Sequence, residues 1–216
     1  MIQIIPSVLS TLEEEYRRDI TKYQRSQLLK EGWVHIDFMD NKFVPNQSIE
    51  PEIIAKYPID LHKEAHIMVL HPLEWVDSLI EVGFERIIFH IESQDDVLKT
   101  IEYIKSKGLA AGLAINSNTP VERLDPFLDK VDIILVMSIM AGFQGQPFIP
   151  KTLDKVRKIK SMNESIRVGV DGAVKNTNLK KIAKAGVDFV IVGSYLLKGD
   201  VDENLEILWE EISGSI

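Results

Sequence analysis

Short apolar, β-branched runs recur along the chain at near-even intervals, separated by charged stretches with helical spacing. Val34, Ile36 and Phe38 alternate with His35, Asp37 and Met39, and a period of two sends one set of side chains to each face of a strand. The same pattern predicts strands near residues 2–6, 60–69, 86–91, 110–115, 133–137, 166–170 and 189–192. Pro6 is expected to close the first strand, because it has no N–H for a ladder bond. In the third, His62-Lys63-Glu64 reads as an interruption, so its core is expected to start at Glu64 or Ala65. Helices are expected at residues 12–30, 50–56, 72–82, 95–107, 120–127, 150–161, 177–185 and 202–212, with Pro72 in a first turn and Gly108 closing a helix end. Strand and helix alternating eight times is the pattern of an α/β fold with a parallel sheet, and eight units close a (β/α)8 TIM barrel.

Composition narrows the picture. The 216 residues, 45% of them hydrophobic, suit a single (β/α)8 barrel domain spanning residues 1–216, with no break in composition. A net charge of −8 argues against a nucleic-acid surface, and any phosphate has to be held locally. With no cysteine, thiol chemistry is excluded and a metal falls to His and carboxylate. The first ten residues do not read as a signal peptide, and no apolar run approaches the roughly 18 residues of a membrane span. The expectation is a cytoplasmic protein without a membrane partner.

In such a barrel, chemistry sits at the C-terminal ends of the strands, and phosphate is often held after the seventh and eighth. Ser7 and Ser10 follow the first strand, His35 and Asp37 end the second, His66 and Met68 the third, and Asp171 the seventh. Two imidazoles and two carboxylates from three strands can converge on one divalent cation, and a carboxylate can also move a proton. Each taken alone also reads as a polar group hydrogen-bonded at a strand end, and His62 and His71 read as surface residues. Gly142, Gly145, Gly172 and Gly193-Ser194 fall where backbone N–H groups can face an anion, although tight strand-to-helix turns alone also call for glycine.

These residues carry a resemblance to ribulose-phosphate 3-epimerases, barrels of the ribulose-phosphate-binding type. Pro6-Ser7-Val8-Leu9-Ser10, His35 to Asn46, His66-Ile67-Met68, Met137 to Gln146, Val170-Asp171-Gly172-Ala173 and Gly193-Ser194 follow the family's motifs in order. The resemblance implies His35, Asp37, His66 and Asp171 as ligands of one divalent metal (zinc, iron, manganese or cobalt), with Asp37 and Asp171 as proton carriers. It implies substrate contacts from Ser10, His66, Gly142, Phe143, Gln144, Gly145, Asp171, Gly172, Ala173, Gly193 and Ser194, and an apolar wall of Met39, Met68 and Met137. From the residues alone, those methionines read as plain core. The implied reaction is metal-dependent interconversion of D-ribulose 5-phosphate and D-xylulose 5-phosphate, a step of the pentose phosphate pathway. It passes through an enediolate, needs no organic cofactor, and is expected of a homo-oligomer, a dimer or a hexamer.

The sequence departs from the family at Asn41 (usually Gly), Met140-Ala141 (usually Asn-Pro), Gln144 (often a small residue) and Ala173 (usually Gly). A methyl at residue 173 is expected to fit only if the backbone there is not left-handed. Two alternatives stay open: epimerisation of a related ketose phosphate such as D-allulose 6-phosphate, and a barrel that binds a sugar phosphate without turning it over. Decarboxylases and aldolases of related barrels place a Lys among strand-end carboxylates, and His35-Ile36-Asp37-Phe38-Met39-Asp40 has none.

Overall fold

The computed structural model describes residues 2–142 and 145–213. Strands β1 (Gln3–Val8), β2 (Trp33–Met39), β3 (His62–Met68), β4 (Arg86–His90), β5 (Ala110–Ile115), β6 (Ile133–Met137), β7 (Arg167–Asp171) and β8 (Phe189–Val192) pair in chain order. All pairings are parallel and the sheet closes, β8 against β1. Helices α1 (Glu13–Arg25), α2 (Pro51–Lys56), α3 (Val76–Glu81), α4 (Val97–Ser106), α5 (Thr152–Met162), α6 (Asn176–Ala183) and α7 (Val201–Ser213) occupy the connections. The β5–β6 connection is the exception: where a helix over residues 120–127 was expected, there is a 3-10 turn, Val121–Leu124. Another 3-10 turn, Pro72–Trp75, opens α3. Among the described residues no helix is long and apolar enough to cross a membrane.

Alternation along the strands builds two apolar layers. Outward-facing Val34, Ile36, Phe38, Ile87, Phe89, Ile134, Val136, Val168 and Val170 pack in the large core together with helix residues such as Leu79, Ile104, Val156 and Leu179. Inward-facing Ile5, Ile88, Ala114, Ile133, Leu135, Met137, Phe189 and Ile191 fill the barrel. That filling needs Gly169, because a Cβ there would stand 2.1 Å from the Phe189 ring. The barrel is therefore a packed core closed below, and the site is confined to its mouth.

Three boundaries differ from expectation. Pro6 lies inside β1: its register partner Val192 is the last on β8, and pairing with β2 starts at Ser7↔His35, so the missing N–H falls where β1 changes neighbour. Strand β3 begins at His62, because Glu64 is a buried ion-pair partner of Arg86 and His62 stacks on Trp33 at the closed end. Helix α1 ends at Arg25, short of residue 30, since Ser26 leaves helical geometry and Asp202 accepts hydrogen bonds from the Ser26 hydroxyl and the Gln27 N–H.

Candidate active site

Parallel registry places Asp37 of β2 beside His66 of β3, and His35 one pleat below beside Glu64. Asp171 ends β7 across the mouth, next to Met137 of β6 and Ile191 of β8. One ligand atom from each of His35, Asp37, His66 and Asp171 lies within 4.8 Å of the others. His66 Nδ1 is 2.8 Å from Asp37 Oδ1 and 3.8 Å from Asp171 Oδ2. His35 Nε2 is 3.3 Å from Asp37 Oδ1, yet it is buried and finds no hydrogen-bond partner among the described residues. An orphaned ring nitrogen facing two carboxylates and a second imidazole is a donor set that fits a divalent cation.

The electrostatics separate the two aspartates. For Asp37, burial raises the pKa, but the His35 and His66 imidazoles outweigh it and hold the carboxyl well below its ordinary range. Asp171 is pushed up to about 6 by burial and then by the neighbouring Asp37 charge. The two carboxyls are thus pushed in opposite directions, the division that two-sided proton transfer needs. His35 is pushed up to about 10: burial opposes, and Asp37 and Glu64 outweigh it. A dication at Nε2 would take that proton's place.

The aspartates and histidines are held from behind. His35 Nδ1 lies 2.7 Å from Glu64 Oε1, and Arg86 donates to Glu64 Oε2 at 2.5 Å while lying 4.0 Å over the Trp33 ring. The Ser138 N–H and hydroxyl both bond to the Asp171 carbonyl, at 2.7 and 2.8 Å, which fixes the end of β7. The sequence reading missed Glu64, Arg86, His90 and Glu92. His90, fully buried at the end of β4, has Nε2 at 3.0 Å from His66 Nε2 and Nδ1 at 3.1 Å from Glu92 Oε2. The signal was present in the alternation: Glu64 and His66, like Arg86, Ile88 and His90, share the inward face. His62 and His71 are surface residues as expected, their side chains 48% and 38% exposed.

Beside the cluster opens a cavity of about 260 Å³ lined by Asp37, Asp171, Met68 and Met137 and by Gly142, Gly145, Gly172, Ala173, Gly193 and Ser194. Ser7, Tyr195, Lys175 and Lys198 line it too, none of them foreseen as a contact. Met39 stands behind, packed with Met68 and Val44. Ser10 does not line this cavity; it is buried, and its hydroxyl makes no hydrogen bond among the described residues. Phe143 and Gln144 lie outside the described residues.

Two departures from the family pattern are conformational. Asn41 adopts φ +56, the left-handed region that Asn tolerates, while Asp40 accepts the N–H groups of Lys42, Phe43 and Leu70. Ala173 overturns the expectation made for it, since its φ is +53, in that same region. The strain of roughly 1–2 kcal/mol is borne because Asn178 grips the loop, donating to the Ala173 carbonyl at 2.8 Å and accepting from Lys175 N–H at 2.9 Å. Gly172 before it, at φ +115, has no room for a Cβ, which would meet Ile139 at 2.5 Å.

Comparison with known proteins gives a consistent picture. Ribulose-phosphate 3-epimerase of Escherichia coli (strain K12) is 42% identical over 168 residues, covering 74% of this chain and 75% of that one. The Chlamydia pneumoniae protein of the same name is 36% identical over 176 residues, 78% of this chain and 77% of its own. Among solved structures, 3-hexulose-6-phosphate synthase from Salmonella typhimurium superposes with a TM-score of 0.69 at 16% identity, covering all of both chains. N-(5'-phosphoribosyl)anthranilate isomerase from Pyrococcus furiosus does so at 0.64 and 15%, over 99% of this chain and 100% of that one. At such identities the likeness is one of fold. The family model described as "Ribulose-phosphate 3 epimerase family" matches residues 3–197, and the chain belongs to that family.

Proposed function

We propose that this chain interconverts D-ribulose 5-phosphate and D-xylulose 5-phosphate by inverting carbon 3, with Asp37 and Asp171 as the two proton carriers. The observation that carries the reading is that Asp37 and Asp171, from opposite sides of the mouth, each bring a ligand atom into one His/Asp group whose atoms lie within 4.8 Å of one another, with the Asp37 pKa lowered and the Asp171 pKa raised. Asp37, ionised, takes the carbon 3 proton from one face of the sugar. Asp171, protonated, returns a proton to the other face, and the roles exchange in the reverse direction. His35, Asp37, His66 and Asp171 would hold a divalent cation (zinc, iron, manganese or cobalt), which supplies positive charge against the negative charge developing on the substrate oxygens.

The remaining residues orient the substrate. Gly142, Gly145, Gly172, Ala173, Gly193 and Ser194 would face the phosphate with backbone donors, while Met68 and Met137 exclude water from the reacting carbons. Ser10, expected to contact the sugar, is buried away from this cavity, His66 serves the cation site, and Met39 supports Met68 from behind. A comparison of turnover on D-ribulose 5-phosphate and D-allulose 6-phosphate tests the substrate. The expected result is a kcat/KM for the pentulose higher by at least about 10-fold, the scale of one well-used contact. Faster turnover of the hexulose assigns the neighbouring activity, and turnover of neither leaves a binding protein.

A further inference from the structure

Each of the two cluster histidines turns one ring nitrogen toward the carboxylates and the other toward the barrel wall. Behind His35 the wall supplies a carboxylate directly, Glu64, at 2.7 Å. Behind His66 it supplies another imidazole. His66 Nε2 and His90 Nε2 are 3.0 Å apart, with ring centroids at 5.1 Å and planes inclined by 27°. Centroids so much farther apart than the nitrogens mean that the rings meet tip to tip, in hydrogen-bonding rather than stacking geometry. Two ring nitrogens at that distance share one hydrogen, so one donates and the other accepts.

The direction is set on the far side of His90. Its Nδ1 lies 3.1 Å from Glu92 Oε2, and the other oxygen of that carboxylate accepts the Asn116 N–H at 2.9 Å. An ionised carboxylate only accepts, so His90 carries its hydrogen on Nδ1 and offers a lone pair at Nε2. His66 Nε2 must then donate, so a cation that replaces the hydrogen Nδ1 shares with Asp37 Oδ1 at 2.8 Å would meet the Nδ1 lone pair between Asp37 and Asp171. Phe43 covers the His90 ring at 4.8 Å between centroids, and His90 is fully buried, so water does not compete for this chain of bonds.

We propose that Glu92 and His90 are positioning residues that act through hydrogen bonds to hold His66 as its Nε2–H tautomer, presenting Nδ1 to a divalent cation. The proposal rests on the cation site of the preceding section. It makes the two histidines equivalent in design, each held from behind by a carboxylate, one directly and one through an intervening ring. Loss of such a partner typically weakens metal binding about 10- to 100-fold.

Zinc titration of the full chain against a competing chelator, together with nitrogen-15 NMR of the imidazoles in the zinc-loaded protein, tests it. His90→Leu should raise the zinc dissociation constant about 10- to 100-fold. His90→Gln, whose amide oxygen can accept where Nε2 stood, should restore most of the loss. In the unmodified protein the spectra should place hydrogen on Nε2 of His66 and on Nδ1 of His90. A hydrogen on His90 Nε2, or an unchanged zinc constant in His90→Leu, overturns the proposal while leaving the cation site intact. Should His90→Leu fail to fold, the spectra of the unmodified protein decide alone. Failure of the unmodified chain to bind one equivalent of zinc overturns the cation site itself, and this inference with it.

Discussion

The half of the barrel mouth built by β2, β3 and β4 carries imidazoles and carboxylates locked together at 2.7–3.1 Å. The half built by β6, β7 and β8 meets the cavity with glycines, Ala173 and Ser194. The first half places polar side chains in the interior and ties each to a neighbour through at least one atom, because an unpartnered buried charge costs several kcal/mol. The second half exposes backbone, which can approach a phosphate only where side chains are small. Asp171 belongs to the second half by chain position and to the first by chemistry. In the proposed function it is the residue through which chemistry and phosphate binding are joined.

The contrast is broken most severely by removing an acid. Asp37→Asn and Asp171→Asn should each lower turnover by about 10²- to 10⁴-fold with the far-ultraviolet circular dichroism unchanged. A residual rate close to the parent's in either variant would contradict a two-acid mechanism. Next in size is Glu64→Ala, which leaves Arg86 buried beside His35 without its carboxylate. Denaturant unfolding should show a loss of about 3–5 kcal/mol, the cost of stranding one member of a buried pair.

Asp171 also carries a stability consequence. Without a bound cation its folded pKa of about 6 exceeds the ordinary 3.8, so the folded state binds this proton more tightly than the unfolded chain. That contribution is fully present below about pH 3.8 and is lost as pH rises through about 6. Asp171→Asn removes the loss, so the variant should gain on its parent between about pH 4 and pH 7, by up to about 3 kcal/mol. Melting curves at the two pH values check the sign. The smallest effect belongs to Ala173→Gly, which relieves a left-handed alanine at φ +53 but loosens the unfolded chain. A gain of roughly 0.5–1 kcal/mol is expected from chemical denaturation.

What the sequence revealed divides along the same line. Alternation of Val34, Ile36 and Phe38 with His35, Asp37 and Met39 announces a strand and the shared direction of His35 and Asp37. Eight such runs announce the closed barrel. Glycines 142, 145, 172 and 193 mark the loops that line the cavity. The partners behind the candidate ligands were hidden, because their meaning depends on neighbours in space. Lys63-Glu64 looks like a break in a strand until Arg86 of β4 is placed beside it, and His90 is one more strand residue until β3 brings His66 opposite. Ala173 misled for a different reason: hydropathy and spacing say nothing of Asn178, whose two hydrogen bonds hold the strained turn.

Incorporation of solvent deuterium at carbon 3 of D-ribulose 5-phosphate, followed by proton NMR, tests the central claim most directly. Two aspartates working on opposite faces predict that the unmodified protein forms D-xylulose 5-phosphate carrying deuterium at carbon 3, and that this product is lost in both Asp37→Asn and Asp171→Asn. Its formation at the parent's rate in either variant would contradict the account.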